Sequence, residues 1–253
     1  IFNGELDNTG DKLIIEEFIE GEELSYFVLC DGKTFLPIGS AQDHKRAFDG
    51  DSGPNTGGMG AYSPAPILTT ELEEKIQSKI IKPTIDIMNH KGLPFTGVLY
   101  AGLMIKKGEP SLIEYNVRFG DPECQVLMVR LGGQILDVLL DCAEEKLHQS
   151  QINWANDSAI TVVMATNGYP GAYKKGSIIK NIKSAEQIEG IEVFHAGTKI
   201  QDNKLLANGG RVLSITSRAK NLPLAQERVY QAVKLVDWRD GFFRQDIGWR
   251  GLK

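Results

Sequence analysis

The alternation of apolar and polar residues predicts five strands in the first part of the chain, over residues 12–18, 24–30, 34–40, 95–105 and 111–117. Polar turns separate these segments. Asp31-Gly32 is typical of a tight hairpin, and Lys107-Gly108-Glu109-Pro110 joins the last two strands. Because such short turns connect antiparallel neighbours, we expect a mainly antiparallel sheet.

A helical period of apolar residues predicts helices between and after these strands. Thr70-x-x-Glu73 has the form of a capping box, and it opens a helix whose apolar stripe is Leu72, Ile76, Ile80 and Ile87. Pro83 should kink this helix, because proline lacks the N–H that the helical ladder needs. Three further helices are predicted over residues 123–131, 135–147 and 223–236.

The second half of the chain predicts a smaller unit that is rich in strands. Short strands are expected over residues 159–165, 177–182, 193–198 and 211–216. The polar segment 153–157 has the composition of a domain junction. We therefore predict an α+β fold, with one domain over residues 1–155 and a small β-rich domain over residues 156–253.

Composition and charge exclude several classes of protein. Apolar residues make up 42% of the 253 and charged residues 24%, which is typical of a globular protein. The formal net charge is −5 and no basic block is longer than His44-Lys45-Arg46, so we expect no nucleic-acid partner. No apolar run approaches the roughly 18 residues of a membrane span, so we expect no membrane partner. Three separated cysteines without a C-x-x-C pair predict reduced thiols and a cytoplasmic location.

The strand over residues 111–117 carries the most informative polar pattern. Alternate residues of a strand share a face, so Glu114, Asn116 and Arg118 should point one way, and the intervening Ile113, Tyr115 and Val117 into a core. Carboxylate and amide oxygens suit Mg²⁺, and a guanidinium clamps phosphoryl oxygens. The alternative is the solvated outer face of an amphipathic strand.

Phe119-Gly120-Asp121-Pro122-Glu123 then leads from this strand into a helix. Free backbone N–H groups at a helix start attract anions, and Gly120 allows a ligand to approach the main chain closely. An ordinary strand–helix turn is the alternative interpretation.

Residues 42–66 form a long stretch rich in glycine, proline, asparagine and serine, which we expect to be irregular and functional. Its Gly53–Tyr62 string lacks the G-K-[ST] ending of a Walker A loop and the context of a dinucleotide fingerprint. Its amides could cradle an anion, or it could be a mobile surface loop. Asp43-His44-Lys45-Arg46 is either a ligand site or a solvated charge run. Asn208-Gly209-Gly210-Arg211 is either a plain hairpin or a phosphate pocket.

Five motifs together resemble the phosphoribosylamine–glycine ligase family of the ATP-grasp superfamily: residues 16–23, 42–46, 53–66, 114–123 and 246–250. The E-x-N-x-R pattern recurs throughout ATP-grasp enzymes. The string Gly-Pro-Asn-Thr-Gly-Gly-Met-Gly-Ala-Tyr-Ser-Pro is far more specific. The resemblance extends over essentially the whole chain, and it implies the large lobe of an ATP-grasp fold followed by a small β-rich domain.

The resemblance also implies a reaction. Glycine, 5-phosphoribosylamine and ATP would give glycinamide ribonucleotide, ADP and phosphate through a glycyl phosphate, as a step of de novo purine synthesis. ATP would be the co-substrate and Mg²⁺ or Mn²⁺ the cofactor. Such a site must neutralise phosphate charge, align two anionic reactants and exclude water.

The same resemblance assigns roles to individual residues. Glu114 and Asn116 would be metal ligands, and Arg118 would be the catalytic clamp on the transferring phosphate and the glycine carboxylate. The adenine hinge would be Glu16, Glu17, Phe18 and Ile19, with Glu22 or Glu23 near the ribose. The second substrate would be enclosed by Asp43, Lys45, Arg46, Gly57, Gly58 and Gly60. Gly120 would belong to the glycine pocket, and Arg211, by looser analogy with related ligases, would hold the 5-phosphate.

Two departures from the family pattern leave questions open. Residues 99–103 contain no carboxylate where ATP-grasp enzymes commonly place a further metal ligand, so the number of metal ions stays open. The family's N-terminal domain and small ATP-grasp lobe have no counterpart, so we expect a C-terminal fragment that is inactive alone. Another ATP-grasp carboxylate–amine ligase, or a catalytically silent nucleotide-binding fragment, is the alternative. We expect a monomer.

Overall fold

The computed structural model describes residues 14–252. Within that range the strands are β1 Glu22–Asp31, β2 Phe35–Asp43, β3 Arg46–Phe48, β4 Ser52–Asn55, β5 Gly60–Ser63, β6 Thr96–Lys106, β7 Glu109–Asn116, β8 Ser158–Thr166, β9 Ile178–Ile179, β10 Ile191–His195, β11 Thr198–Gln201, β12 Lys204–Ala207, β13 Arg211–Ala219 and β14 Gly241–Phe242. The helices are α1 Thr70–Ile76, α2 Lys82–His90, α3 Glu123–Leu131, α4 Gln134–Ala143, α5 Ile182–Glu186 and α6 Leu222–Leu235.

One antiparallel sheet connects the two halves of the chain. Its strands lie in the order β10-β13-β8-β5-β2-β1-β6-β7, and β14 pairs with β8 as the ninth strand. The short strand β5 is the link, because Tyr62 pairs with Gln42 of β2 on one side and with Ile160 of β8 on the other. The sheet therefore continues across the domain boundary that we predict between residues 155 and 156. The expected α+β class with a mainly antiparallel sheet is confirmed.

The core has one layer of helices on each side of the central strand β1. One face of β1, with Tyr26 and Val28, packs with β6 against α1 and α2. The other face, with Phe27 and Leu29, packs with β2 against α3 and α4. A strand that is buried on both faces needs apolar side chains at nearly every position, which explains the sequence of β1. A third cluster joins β8 and β13 to α6.

The first helical region departs from the predicted stripe at its centre. A π turn over Gln77–Ile81 separates α1 from α2 and shifts the helical phase. Ile81 and Ile85 are therefore the buried residues after Leu72 and Ile76, whereas Ile87 is 55% exposed. Pro83 lies in the first turn of α2, where its missing N–H is tolerated, so the π turn takes the place of the expected kink.

Two other expectations for the first half are wrong. The predicted strand over residues 12–18 does not form, since residues 14–18 have no regular structure and residues 12 and 13 lie outside the described range. An alternation of apolar and polar residues does not by itself provide a neighbouring strand with which to pair. Accordingly, Ile14, Ile15 and Phe18 are more than 80% exposed. Conversely, segment 42–66 is not irregular but contains β3, β4 and β5, because its backbone pairs with distant strands that local composition does not reveal.

The helix cap lies one residue earlier than the capping box suggests. The Thr69 hydroxyl accepts a hydrogen bond from the Leu72 amide at 3.2 Å, and Thr70 is already the first helical residue. We predict that Thr69→Ala lowers the free energy of unfolding by about 1 kcal/mol, because it leaves a helix-terminal N–H without its acceptor. The measurement is urea denaturation.

Thr70→Ala is the matched control, since both threonines are exposed and adjacent. Its unfolding free energy should stay within about 0.5 kcal/mol of the parent. A larger loss in Thr70→Ala than in Thr69→Ala would show that the capping box, and not Thr69, starts this helix.

Candidate active site

A cleft of about 520 Å³ lies where β1 begins and β2 ends. It is lined by Gly21, Glu22, Glu23, Asp43, Lys45, Arg46, Asp51, Asn55, Met104, Trp249 and Arg250. Acidic and basic side chains alternate around it, and Met104 and Trp249 add apolar surface. A phosphorylated, hydroxyl-bearing ligand matches such walls, because cations bind its phosphates and carboxylates accept from its hydroxyl groups.

The first two residues of β1 are held in place by partners on β2 and just after it. Glu22 accepts a hydrogen bond from Nε2 of Gln42 at 2.7 Å. Oε2 of Glu23 lies 2.7 Å from Nζ of Lys45, and both side chains are partly exposed at the cleft. The structure therefore brings Glu22 and Glu23, which we expect near the ribose, together with Lys45, which we expect at the second substrate.

Asp43, the last residue of β2, holds a buried carboxylate oxygen, Oδ1, that has no hydrogen-bond partner. Burial and the nearby carboxylate of Glu123 raise the pKa of Asp43. Glu123 itself is buried, and its Oε1 accepts hydrogen bonds from the hydroxyls of Tyr100 at 2.9 Å and Ser25 at 3.2 Å. Asp43 is thus an unsatisfied acceptor next to a satisfied one.

A segment near the end of the chain, residues 244–250, forms one wall of the cleft; we call it the C-terminal arm. Arg244 is almost fully buried, and it donates to both carboxylate oxygens of Asp246 and to Oδ1 of Asp51. Nη2 of Arg250 donates to Oδ2 of Asp51 at 2.5 Å. Two guanidinium groups and two carboxylates balance in charge, which makes their burial tolerable and holds Arg250 at the cleft.

His44 lies behind the C-terminal arm as a neutral, fully buried ring. Its Nε2 accepts a hydrogen bond from the Gly248 amide at 3.3 Å, so the neutral ring carries its proton on Nδ1. Burial, together with the positive charges of Arg244 and Arg250, lowers the pKa of His44 to about 4. Of the basic run that the sequence presents, only Lys45 and Arg46 are therefore cations at the cleft.

The glycine-rich string is tied down by internal hydrogen bonds instead of exposing its amides. The amides of Thr56 and Met59 donate to the carbonyls of Lys45 and His44. The Gly58 amide donates to Oγ1 of Thr56, and the Gly57 amide donates to the hydroxyl of Tyr169 at 3.1 Å. An anion beside this loop would therefore be held by side chains and not by these four amides.

The glycines of this loop are required by close approach. A Cβ at Gly57 would lie 2.9 Å from Nη2 of Arg211. A Cβ at Gly58, where φ is +114°, would lie 2.4 Å from Pro122 and 2.8 Å from Oδ1 of Asp43. These residues therefore bring the loop against the strand–helix turn and against the start of β13.

Arg211 is bound mainly to the protein's own backbone. Its Nη1 donates to the carbonyls of Gly57 at 2.8 Å and Asp121 at 2.6 Å, and lies 3.3 Å from Oδ1 of Asp121. It joins β13, the glycine-rich loop and the turn after β7. Any contact of Arg211 with a phosphate would have to use its other nitrogen atoms.

The polar face of β7 forms as predicted, but the expected apolar face does not. The register shifts between the pairs Gly102–Glu114 and Leu103–Leu112, so Ile113 is an extra residue in a β-bulge. Ile113 is 43% exposed and Val117 is 70% exposed, and only Tyr115 packs against the core. The prediction of Ile113 and Val117 as core residues is wrong, because the bulge breaks the alternation at Ile113 and the strand ends before Val117.

The exposed residues of this strand have the donor chemistry for a hard divalent cation. Nδ2 of Asn116 donates a hydrogen bond to Oε1 of Glu114 at 3.2 Å, so a carboxylate and an amide group lie side by side. Mg²⁺ needs only one or two protein oxygens when water and substrate phosphates complete its shell. No cluster of three or more His, Cys, Asp or Glu side chains suited to a metal occurs among residues 14–252. Arg118 is exposed beyond Asn116, and its Nη1 donates to the Phe119 carbonyl.

Gly120 is buried against the carboxylate of Glu123, since a Cβ at this position would lie 2.4 Å from its Oε2. Residues 16–19, which have no regular secondary structure, line a cavity of about 390 Å³ together with residues of β6 and β7. Met104, Leu112 and Ile113 line its floor, and the bulge at Ile113 supplies part of that apolar surface. Such an apolar surface suits a flat aromatic base.

The structure brings six of the predicted site residues to the cleft or to a smaller cavity beside it. Glu22, Glu23, Asp43, Lys45 and Arg46 share the cleft, and Glu114 joins Glu23, Asp43 and Lys45 around a smaller adjoining cavity. Sequence reasoning missed the side chains that support them, namely Ser25, Asp51, Tyr100, Glu123, Arg244 and Arg250. The motif at residues 246–250 could have indicated the arm, whereas Ser25 and Tyr100 gave no local sign. No helix among the described residues is long and apolar enough to cross a membrane.

Two family models match the chain. The phosphoribosylglycinamide synthetase ATP-grasp (A) domain matches residues 1–124, and the phosphoribosylglycinamide synthetase C domain matches residues 159–250. A phosphoribosylamine–glycine ligase of Brucella melitensis is 51% identical over 252 residues, which are 100% of this chain and 59% of the relative. The chloroplastic enzyme of Arabidopsis thaliana is 54% identical, and the match covers 48% of its length.

A third relative, from Vigna unguiculata, is 52% identical over 246 residues, and the match covers 79% of its length. The chain thus spans about half to three-fifths of the first two relatives and more of the third. Among solved structures, the phosphoribosylamine–glycine ligase of Thermotoga maritima has a TM-score of 0.82 at 32% identity, over 92% of this chain and 57% of the other. A biotin carboxylase domain of Hydrogenobacter thermophilus, in complex with MgADP and bicarbonate, has a TM-score of 0.60 at 18% identity. The match covers 88% of this chain and 47% of the biotin carboxylase chain, and it shows a shared fold.

The buried His44 predicts a specific dependence of stability on pH. In the unfolded chain a histidine binds a proton near pH 6.5, but in the folded chain only near pH 4. Between these pH values the unfolded chain binds more protons than the folded chain. The contribution of His44 to the free energy of unfolding therefore falls as the pH falls. Between pH 6 and 4.5 the free energy of unfolding of His44→Gln should fall less steeply with falling pH than that of the parent. The difference between the two slopes should be on the order of 1 kcal/mol per pH unit.

The measurement is urea denaturation of the parent and the variant at pH 6.0, 5.0 and 4.5, with pH 7.0 as the reference. His148→Gln replaces an exposed histidine and should keep the parent's pH dependence. Parallel curves for the parent and His44→Gln would show that His44 is protonated in the folded protein.

Proposed function

Because the chain belongs to the phosphoribosylglycinamide synthetase family, we propose that it serves the ATP-dependent ligation of glycine to 5-phosphoribosylamine. A glycine carboxylate oxygen attacks the γ-phosphorus of ATP, and the bond to ADP breaks. The amine of the ribosylamine then attacks the acyl carbon, and phosphate leaves. The products are glycinamide ribonucleotide, ADP and phosphate, as a step of purine synthesis.

The observation that carries this proposal is the adjacency of the 520 Å³ cleft to the oxygen donors of β7. Glu23, Asp43 and Lys45 line both that cleft and the small cavity that Glu114 borders. A phosphorylated acceptor in the cleft and a nucleotide phosphate at Glu114 would therefore lie next to each other. Transfer through an acyl phosphate needs this proximity, because the intermediate must meet its amine before it meets water.

Each group of residues has a distinct task in this proposal. Residues 16–19 and the apolar surface beside them hold the adenine, and Glu22 or Glu23 accepts from the ribose hydroxyls. Glu114 and Asn116 hold Mg²⁺ or Mn²⁺, which neutralises phosphate charge when bound. Arg118 donates to the transferring phosphoryl oxygens and to the glycine carboxylate, since a planar guanidinium binds two oxygens at once.

The remaining charged residues bind the acceptor. Lys45 and Arg46 supply the positive charge for its 5-phosphate, with Gly57, Gly58 and Gly60 closing the loop over it. Gly120 borders the glycine. Arg211 keeps its predicted contact with the 5-phosphate only through Nε and Nη2, because Nη1 is bound to carbonyl oxygens.

We propose a cytoplasmic location, on the state of the cysteines. Cys30, Cys124 and Cys142 are all free thiols. Burial raises the pKa of Cys30 to about 12 and that of Cys124 to about 11. Both thiols are therefore protonated and unreactive at neutral pH, as suits structural residues in a reducing compartment.

A chimera tests the function directly. Replacing the matching 252-residue segment of the Brucella ligase with this chain should give an enzyme that forms ADP and glycinamide ribonucleotide from ATP, glycine and phosphoribosylamine. The unmodified Brucella ligase is the positive control. A folded chimera that consumes ATP with a different acceptor, and not with phosphoribosylamine, would assign the chain to another carboxylate–amine ligase.

We predict that Glu114→Gln raises the Mg²⁺ concentration needed for half-maximal ADP binding to this chain by about 10-fold or more, because it removes a charged oxygen ligand with little change in shape. Asn116→Asp keeps an oxygen and adds charge, so its Mg²⁺ requirement should shift in the opposite direction. Calorimetric titration of ADP at several Mg²⁺ concentrations measures both. Glu109→Gln, the same substitution at the far end of β7, is the control and should behave like the parent. Identical Mg²⁺ curves for all four proteins would show that β7 does not bind the metal.

In the chimera, Arg118→Lys should reduce kcat by about 10²–10³, and it should change the KM for ATP by less than 10-fold. An ammonium does not reproduce the bidentate contact that a guanidinium makes with a transferring phosphoryl group. Steady-state kinetics with ATP as the varied substrate measures the two parameters. The control is Arg239→Lys, which changes an exposed arginine outside the cleft. An unchanged kcat in Arg118→Lys would show that Arg118 is an ordinary solvent-exposed residue without a role in phosphoryl transfer.

A further inference from the structure

Tyr169 reaches from the second half of the chain to the glycine-rich loop beside the cleft. It lies in the turn that follows β8, and its hydroxyl accepts a hydrogen bond from the Gly57 amide at 3.1 Å. None of residues 158–243 lines the 520 Å³ cleft itself. Tyr169 is therefore a residue outside the cleft that binds the loop next to it.

The side chain of Tyr169 is fixed at its base. Its ring packs against the core cluster that joins β8 and β13 to α6. The ring also contacts Gly210 so closely that a Cβ there would lie 2.3 Å from Cδ2 of the tyrosine. The Tyr169 amide donates to the Thr166 carbonyl at 3.0 Å, and the Thr166 amide donates to the Gly210 carbonyl at 2.8 Å. Because a tyrosine side chain has only two χ angles, this packing places its hydroxyl at a defined point.

Gly57 is held at both its amide and its carbonyl. The amide donates to Tyr169, and the carbonyl accepts from Nη1 of Arg211 at 2.8 Å. Arg211 directly follows the Gly210 on which the tyrosine ring packs. Gly57 is exposed to solvent, so its backbone depends on these contacts for its position. Both contacts come from the segment that the C-domain family model matches.

The residue before Gly57 connects the loop to a cation of the cleft. The amide and the hydroxyl of Thr56 both donate to the Lys45 carbonyl, each at 2.8 Å. The Gly58 amide donates to the same Thr56 hydroxyl at 3.0 Å. Lys45 lies between β2 and β3, outside regular secondary structure. A displacement of Gly57 would therefore move the backbone of Lys45.

We propose that Tyr169 is a positioning residue for the acceptor cleft. Its hydroxyl holds Gly57, and Gly57 and Thr56 hold Lys45 where the phosphate of the acceptor binds. The inference rests on the proposed function, which assigns the phosphorylated acceptor to this cleft. A cation that is already in place loses less conformational entropy when the phosphate binds.

The test compares Tyr169→Phe with the parent chain, because this substitution keeps the ring and removes only the hydroxyl. The probe is ribose 5-phosphate, which has the phosphate and ribose of the acceptor without its amine. Calorimetric titration should give a Kd about 3- to 10-fold higher in the variant, the cost of ordering one long side chain on binding. The affinity for Mg·ADP and the midpoint of urea denaturation should not change, since water replaces the hydroxyl at the exposed amide.

Tyr173→Phe is the matched control. The ring centroid of Tyr173 lies 6.4 Å from that of Tyr169, and the Tyr173 hydroxyl has no hydrogen-bond partner among residues 14–252. This variant should bind ribose 5-phosphate with the affinity of the parent.

Thr56 tests the connection from Gly57 to Lys45. Thr56→Val removes the hydroxyl with little change in shape and should weaken binding of ribose 5-phosphate, whereas Thr56→Ser keeps the hydroxyl and should bind like the parent. If the two contacts act in series, Tyr169→Phe combined with Thr56→Val should weaken binding no more than the stronger single variant. A double variant whose loss equals the product of the two single losses would show independent effects and contradict the inference.

The outcomes separate the inference from the proposed function. If the parent binds ribose 5-phosphate and Tyr169→Phe binds it equally well, the inference is wrong and the acceptor cleft stands. If Tyr169→Phe also loses Mg·ADP affinity or unfolds at lower urea, its effect is a general loss of structure and the positioning role is wrong. If the parent does not bind ribose 5-phosphate, the assignment of the acceptor to the cleft is wrong, and the inference is wrong with it.

Discussion

The absence of side chains in the glycine-rich loop is the constraint on which the rest of the structure depends. At Gly58 a Cβ would overlap Pro122 and crowd Asp43, and at Gly57 it would press on Arg211. At Gly60 it would lie 2.6 Å from the Thr161 carbonyl of β8. Only bare backbone can approach these three segments together. The loop therefore closes the sheet between β2 and β8 and brings the turn after β7 beside the end of β2.

Paired charges then hold the edges of this arrangement. Arg211 binds the carbonyls of the loop and of the turn, and Arg244 with Asp51 binds the C-terminal arm to the loop that follows β3. Both arginines are held by several acceptors, which the buried guanidinium group of Arg244 requires and the partly exposed one of Arg211 also has. These contacts give the cleft rigid walls, although none of the atoms involved is expected to react.

Against that background, the groups without partners stand out. Nδ1 of His44 is buried without a hydrogen-bond partner. The ring lies near Arg244 and Arg250, and burial and these positive charges lower its pKa because they destabilise the protonated form. Oδ1 of Asp43 is likewise buried without a hydrogen-bond partner, and it lies so close to Gly58 that a Cβ there would be 2.8 Å away.

The sequence by itself determined the elements whose pattern is local. Strand β1, helix α3 and the polar face of β7 could be predicted, because periodicity and turn chemistry are properties of neighbouring residues. The motifs around Glu22 and Asp43 likewise identified five of the eleven residues that line the cleft. Only the tertiary structure decided the π turn before Pro83, the bulge at Ile113 and the strands within residues 42–66, because each depends on a distant partner that sets phase or register. For the same reason it alone showed that Arg211 binds carbonyl oxygens and that Asp43 meets a cavity: hydrogen-bond partners and enclosed volume arise from packing between segments far apart in the chain.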